Sequence, residues 1–362
     1  MKLNFSQAPE QIQRVFNEES FASFSRLCID TVKGTQVKYS AAEANKEILH
    51  QVRSIMGLSD DPTVFEVKKA TKRSANREAM FAVIEEAVDN TLITGWQADP
   101  YFNALVDYRT LALGDSNSFY VPSNMELIVS EVAASNHDIV RQRIKAGETY
   151  TVAVRSYGAK VYMEAERFLM GAEDWTDLVG RITKAFTNCV YTLIHDGLLS
   201  TADSLSGQWK LTIQLTEANR AQLVKILNDV SIATGTQAAI YGTAVALSGI
   251  QNMVSYNIMA ASEKEDIYAT GRIGHFGQYP VVEIPQAFAV NDTTHYLYDE
   301  TKLLILPNNE KIVKMYDEGS TEITDVTDRA THIDGTYDEE VTRKMGVGVV
   351  MNPKFGVVNI QA

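Results

Sequence analysis

Ile139-Val140-Arg141-Gln142-Arg143-Ile144-Lys145-Ala146-Gly147-Glu148-Thr149-Tyr150-Thr151-Val152-Ala153-Val154-Arg155 is the stretch on which the reading of this chain turns. Tyr150, Val152 and Val154 alternate with Thr151, Ala153 and Arg155, the two-residue period of a half-buried strand. The run 139–144 predicts a partner strand, and Lys145-Ala146-Gly147-Glu148 between the two reads as a hairpin turn. Many of these side chains are polar on both faces. A two-stranded ribbon of that kind is marginal alone in water, so its open edges and apolar side chains predict contact with another subunit. Arg141, Arg143, Lys145, Tyr150 and Arg155 are the side chains expected to make that contact.

Working toward the N-terminus, the first hundred residues read as helices. Phe21, Phe24, Leu27, Cys28 and Val32 recur at helical spacing, and Gly34 offers a stop. Ser40-Ala41-Ala42-Glu43 has the form of a capping box, with Ile48, Leu49, Val52, Ile55 and Met56 as the stripe and Gly57 at the C′ position. Asp61 before Pro62 predicts another N-cap with proline at the first helical position. A third helix is expected over about 74–92, with Met80, Val83, Ile84, Ala87, Val88 and Leu92 on one side and Gly95 beyond its end.

Toward the C-terminus comes the strongest helical pattern. Trp175, Leu178, Val179, Ile182, Phe186, Cys189, Val190, Leu193 and Ile194 follow the i, i+3, i+4, i+7 rule, with Asp174 as cap and Gly197 as stop. Roughly 22 residues at 1.5 Å each give a rod of about 33 Å. A further helix over 216–234 places Leu223, Val224, Leu227 and Val230 inward, closed by Gly235. Then short elements alternate: strand 238–241, helix 244–251, and strands at 281–284, 303–306, 312–315, 344–351 and 355–360. The fold class is therefore mixed α+β.

Composition excludes several functions. The chain has 362 residues, 45% apolar and 22% charged, which is ordinary globular composition. Its formal charge of -13 argues against a protein that coats DNA through bulk positive charge. Two cysteines, Cys28 and Cys189, cannot make a disulfide framework. No apolar h-region follows the N-terminal residues 1–7, and no apolar run could span a bilayer, so the chain is expected to be made and kept in a cytoplasm, off any membrane.

No motif points to a reaction. Gly271-Arg272-Ile273-Gly274-His275-Phe276-Gly277 fits neither the dinucleotide nor the Walker spacing and reads as a turn beside a β run. His50, His137, His195, His275, His295 and His332 show no metal-ligand spacing; His195 is placed in the last turn of the long helix, where positive charge suits the dipole. Cys189 lies on the apolar stripe and reads as an inert thiol. The acidic stretch 317–340 fails the calcium-loop register and reads as a solvated loop or subunit contact. Lys68, Lys69, Lys72, Arg73 and Arg77 form the basic cluster, the wet face of a helix or, functionally, a contact with phosphate or an acidic neighbour. The expectation is no catalytic residue, no metal and no cofactor.

The final third resembles a known family. Gly277-Gln278-Tyr279-Pro280-Val281-Val282-Glu283-Ile284-Pro285 is similar to a strand near the end of the axial domain in tailed-phage major capsid proteins. Leu303-Leu304-Ile305-Leu306-Pro307 with 312–319 resembles their next hairpin, and Lys344-Met345-Gly346-Val347-Gly348-Val349-Val350-Met351-Asn352-Pro353 their returning strand. The order of elements agrees. The resemblance implies an N-terminal arm at 1–104, an extended β-hairpin loop at 105–165, a peripheral domain with the spine helix at 166–218, an axial domain at 219–320 and a return to the peripheral domain at 321–362. It implies a shell subunit that associates with itself as hexamers and pentamers around double-stranded DNA, with portal, scaffolding and decoration proteins as further partners, in a virion assembled in the host cytoplasm. Two other readings stay open: an encapsulin-like compartment of the same fold, and a cytosolic enzyme with an unrecognised site.

Overall fold

The computed structural model describes residues 5–35, 40–112, 114–121, 141–143, 147–163, 165–203, 205, 207–254, 261–289, 292–308, 310–325, 337–349 and 355–361. The N-terminal part is helical: α1 (Glu10–Val15), α2 (Glu18–Lys33), α3 (Ala41–Ile55), α4 (Val64–Thr71), α5 (Ser74–Ala98) and α6 (Pro100–Leu105). Local chemistry sets their ends. Asn17 with Ser20 and Ser40 with Glu43 close reciprocal capping boxes, and Gly34 and Gly57 take the left-handed conformation after α2 and α3. The start of α4 corrects the expectation at Asp61: Thr63 is the N-cap, because its hydroxyl and Glu66 satisfy each other's orphan amides.

Helix α5 also departs from its expected form. It runs through Gly95 to Ala98, and Met80, Phe81, Ala82, Val83 and Ile84 are all buried. A helix apolar on one side only would leave half of these wet. Instead α5 lies between α2 and α8 (Trp175–Asp203) and a β-sheet, so most of its middle is covered. Helix α8 likewise passes its expected stop. Gly197 sits inside it because strand and helix meet there: a Cβ at 197 would lie 3.1 Å from Val349 Cγ2. With 29 residues, α8 is about 44 Å long.

The strands are β1 (Val106–Leu111), β2 (Ser118–Val121), β3 (Glu148–Thr151), β4 (Arg155–Met163), β5 (Lys210–Ile213), β6 (Ala238–Gly242), β7 (His275–Phe276), β8 (Tyr279–Glu283), β9 (Phe288–Ala289), β10 (Asp292–Tyr296), β11 (Lys302–Pro307), β12 (Val313–Asp325), β13 (Tyr337–Val349) and β14 (Gly356–Ile360). The remaining helices are α7 (Ala165–Leu169), α9 (Arg220–Thr234), α10 (Ala244–Ser248) and α11 (Ala261–Thr270). A four-stranded sheet has the order β1-β12-β13-β4, with β1 parallel to β12 and the other pairs antiparallel. A six-stranded sheet has the order β5-β14-β11-β6-β8-β7.

The continuous run Leu303-Leu304-Ile305-Leu306 follows from its place in the six-stranded sheet. Leu304 and Leu306 face the large core shared with α2, α3, α5 and α8. Leu303 and Ile305 face a second core under α9 and α10. A strand buried on both faces cannot alternate with polar residues. In α9, Leu223, Leu227 and Val230 are buried as expected, and Gly235 closes the helix in the left-handed conformation. Val224 is corrected: it is 38% exposed, on the outer side.

The acidic stretch is corrected too. Residues 317–325 belong to β12 and 337–340 to β13, and Asp317 is buried; residues 326–336 lie outside the described residues. Gly271 and Gly277 take positive φ at turns around the β7–β8 hairpin, as the turn reading expects.

Candidate functional site

Both ends of the stretch 105–165 are held by the chain's own sheet: β1 pairs with β12 and β4 pairs with β13, Arg155 opposite Met345. Between them, β2 and β3 form a two-stranded ribbon that belongs to neither large sheet. Its register is Ser118 with Thr151, Phe119 with Tyr150, Tyr120 with Thr149 and Val121 with Glu148. This corrects the expected hairpin. The partner of Tyr150 lies some thirty residues upstream, not in the run 139–144, whose described residues 141–143 are not strand. Sequence proximity favoured the nearer run; pairing followed the longer connection.

The ribbon's root is packed closely. Val152 is 4% exposed and lies over β13 where that strand has glycine. A Cβ at Gly348 would stand 2.8 Å from Val152 Cγ2, and one at Gly346 would stand 2.7 Å from the Ala153 carbonyl oxygen. The pattern Gly346-Val347-Gly348 is thus a groove for the crossing chain. Asn117 fixes the root from the other side: its side-chain amide donates to the Val152 carbonyl at 2.5 Å, and its own carbonyl accepts from the Val152 N–H at 3.0 Å.

Beyond the root the ribbon is open along β3, whereas Val121 at the far end of β2 is buried. All four residues of β3 are exposed, and Phe119 stacks on Tyr150 with ring centroids 5.8 Å apart. The Tyr150 hydroxyl donates to Glu148 Oε2 at 2.7 Å. Neither ring joins the two cores. Arg141, Arg143 and Arg155 are exposed, and Lys145 lies outside the described residues. Tyr150 thus lies exposed on the ribbon and Arg155 exposed at the start of β4 just past its root, while Arg141 and Arg143 are exposed in the connection between β2 and β3. Lys68, Lys69, Lys72 and Arg73 lie exposed at the end of α4 and the start of α5, far along the chain from that ribbon. Arg77 departs from this wet face: it turns inward, and its Nη1 donates to the Thr71 carbonyl at 2.6 Å.

Beneath the four-stranded sheet is a charged cluster that the sequence did not announce. Arg343 of β13 is buried; its Nε and Nη2 donate to the two oxygens of Asp317 at 3.0 and 2.5 Å. Its Nη1 donates to Asp89 of α5 and, at 2.7 Å, to the Thr321 hydroxyl. Tyr108 of β1 donates to Asp317 at 2.7 Å, and the Trp96 ring lies 5.6 Å from the guanidinium carbon. Burial and the Asp317 carboxylate hold the Tyr108 phenol well above its ordinary range. The backbone takes part. Gly319 has a positive φ, and the β12–β13 register slips between Glu318 and Glu322. That bulge turns the Thr321 N–H to Asp89 at 3.1 Å, while Glu85 accepts from the Ile323 N–H at 2.7 Å. One signal was present in the sequence: Asp89 falls on the buried side of α5, between Val88 and Leu92. Its partners, more than 200 residues away, were not readable.

His195 is corrected as well. Eight residues remain in α8 beyond it, so it is no terminal-turn charge. It is buried edge-on against Tyr298, centroids 4.7 Å apart, and burial lowers its pKa. The sign follows. Below about pH 6.5 the unfolded chain takes up a proton that the folded one refuses, so stability falls with acidification across that window. His195→Phe is expected to lose less thermal stability than the wild type between about pH 7.5 and pH 5; equal losses in melting curves would refute this. Cys28 and Cys189 both have thiols pushed up by burial, in keeping with inert packing. Among the described residues no group of three His, Cys, Asp or Glu side chains could hold a metal ion, and no helix is long and apolar enough to cross a membrane.

The chain is similar to the asymmetric unit of the bacteriophage PhiM1 mature capsid, at 10% identity over 73% of this chain and 88% of that one, TM-score 0.49. It is similar to the capsid of the native GTA particle at 12% identity over 72% and 88%, TM-score 0.49. A virus-like particle from Pyrococcus furiosus matches at 13% identity over 74% and 96%, TM-score 0.43. No curated protein matches the sequence. The family model described as "SPbeta prophage-derived putative capsid protein YonB" matches residues 23–359, nearly the whole chain. This protein belongs to the YonB family of prophage-derived capsid proteins.

Proposed function

We propose that this capsid chain is the major shell subunit of an icosahedral head enclosing double-stranded DNA. The observation that carries the reading is the family match over residues 23–359. The ribbon supports it physically: a pair of strands with no core of its own, bearing a half-exposed aromatic stack, gains most by lying on another copy. In this reading residues 1–104 are an arm, 105–165 the loop over a neighbour, 166–218 and 321–362 a peripheral region, and 219–320 an axial region. Hexamers and pentamers form in the host cytoplasm, with portal, scaffolding and decoration proteins as partners, and the chain performs no catalysis. The charge of -13 suits an inner wall that does not grip DNA tightly.

Size-exclusion chromatography and electron microscopy of the purified protein test this. Closed particles tens of nanometres across, holding nuclease-protected DNA when recovered from induced cells, are expected. Particles filled with a protein cargo and lacking DNA would replace the head by a compartment. A monomer or dimer under all salt and pH conditions, turning over a substrate, would overturn the shell.

A further inference from the structure

Three helices leave a slot of about 440 Å³ on the side of the helical layer where the C-terminal parts of α2 and α5 meet the first half of α8. Its walls include Lys33, Thr91, Gly95, Gly180, Thr183 and Lys184. Gly95, Gly180 and Thr91 have features that no described residue explains. Gly95 and Gly180 lie inside helices with ordinary right-handed backbone, where glycine is less favourable than any residue but proline. Elsewhere in α8 a close strand accounts for Gly197, but a Cβ at 95 or at 180 would meet nothing within 4 Å. Thr91 is only 8% exposed, yet its hydroxyl has no hydrogen-bond partner among the described residues. Thr94 and Thr183, by contrast, each donate to the carbonyl four residues back. A buried hydroxyl left unpaired is unfavourable unless something completes it.

Among the described residues, two lysines and no acidic residue line the slot, in a chain with 46 acids and 33 bases. We infer that the slot is a docking groove for a second copy of this chain, which lays an acidic, extended segment against the glycines, between Lys33 and Lys184. The glycines let a backbone approach both helices. Thr91 is completed by a backbone group of the incoming segment, and the lysines meet its carboxylates. This rests on the shell reading and names one contact within it.

The test fills the slot. Gly95→Leu with Gly180→Leu puts side chains where the helices leave room, so the double variant is expected to melt no lower than the wild type. It is expected to raise the protein concentration needed for assembly at least tenfold, read by sedimentation and electron microscopy. Lys33→Glu with Lys184→Glu, both changes at the rim of the slot, is expected to do the same and guards against a misfolded double leucine variant. A photo-crosslinker at Thr187 in a mixture of isotopically light and heavy protein should yield mixed-isotope crosslinks to acidic segments. If wild-type particles form and both pairs of variants assemble at the wild-type threshold, the groove is refuted while the shell stands. If the purified variants assemble normally but particle yield falls only with other phage proteins present, or the crosslinks reach another polypeptide, the occupant is not a second copy and the inference fails. No assembly by the wild type sinks the shell reading itself.

Discussion

Replacing Arg343 by methionine is expected to lower the stability of the subunit by about 3–5 kcal/mol, the range seen when one partner of a buried ion pair is removed. The side chain has 1% exposure and is the counter-charge to Asp89 and Asp317, whose side chains are 5% and 1% exposed. Methionine keeps much of the volume over Trp96 but leaves two carboxylates in a dry site. The loss is therefore one of charge balance more than packing. A second variant separates the two: Arg343→Met with Asp89→Asn and Asp317→Asn removes the stranded charges and is expected to recover part of the loss. Urea unfolding of unassembled subunits measures both. An unfolding midpoint unchanged by Arg343→Met would mean that the cluster is not what joins α5 to the sheet.

The second large effect concerns assembly and leaves the fold intact. Ser118 and Thr151 are register partners at the root of the ribbon, so Asn-Gly in place of residues 119–150 can close the hairpin there with a two-residue turn. The change removes the exposed aromatic stack and keeps Val152 in its groove over Gly346 and Gly348. Thermal unfolding of the shortened subunit is expected to stay near that of the unassembled full chain, because no described residue of the removed part joins either core. Closed particles are expected to vanish. Normal particles from the shortened chain would show that the ribbon grips nothing needed for the shell.

Local elements were legible where a few neighbouring residues decide them. Ser40 and Glu43 cap α3 because the two groups that satisfy each other are three residues apart. Gly34, Gly57 and Gly235 stop helices through their own backbone freedom. Where reading failed, a distant element had intervened. Gly95 and Gly197 look like the same punctuation, yet α5 and α8 continue through both because tertiary packing holds the helices together. At Gly197 the missing side chain makes room for Val349, about 150 residues on. Tyr150 was given the nearest strand-like run as a partner, whereas Phe119 takes that place. Of the side chains expected to make contacts, Arg141, Arg143, Tyr150 and Arg155 are exposed, but Asp317 proved to be core.

From residues alone came the α+β class, the helical first hundred residues, the long rod of α8, the apolar strands of the last third and the absence of any reaction motif. These depend on period, caps and composition, which act over a few residues. Folding in three dimensions settled which strands adjoin, that β1 lies beside β12 some 200 residues later, and that Arg343 must sit between Asp89 and Asp317. Those choices depend on burial shared by segments remote in sequence, and a buried charge is tolerable only once its partners have been brought to it.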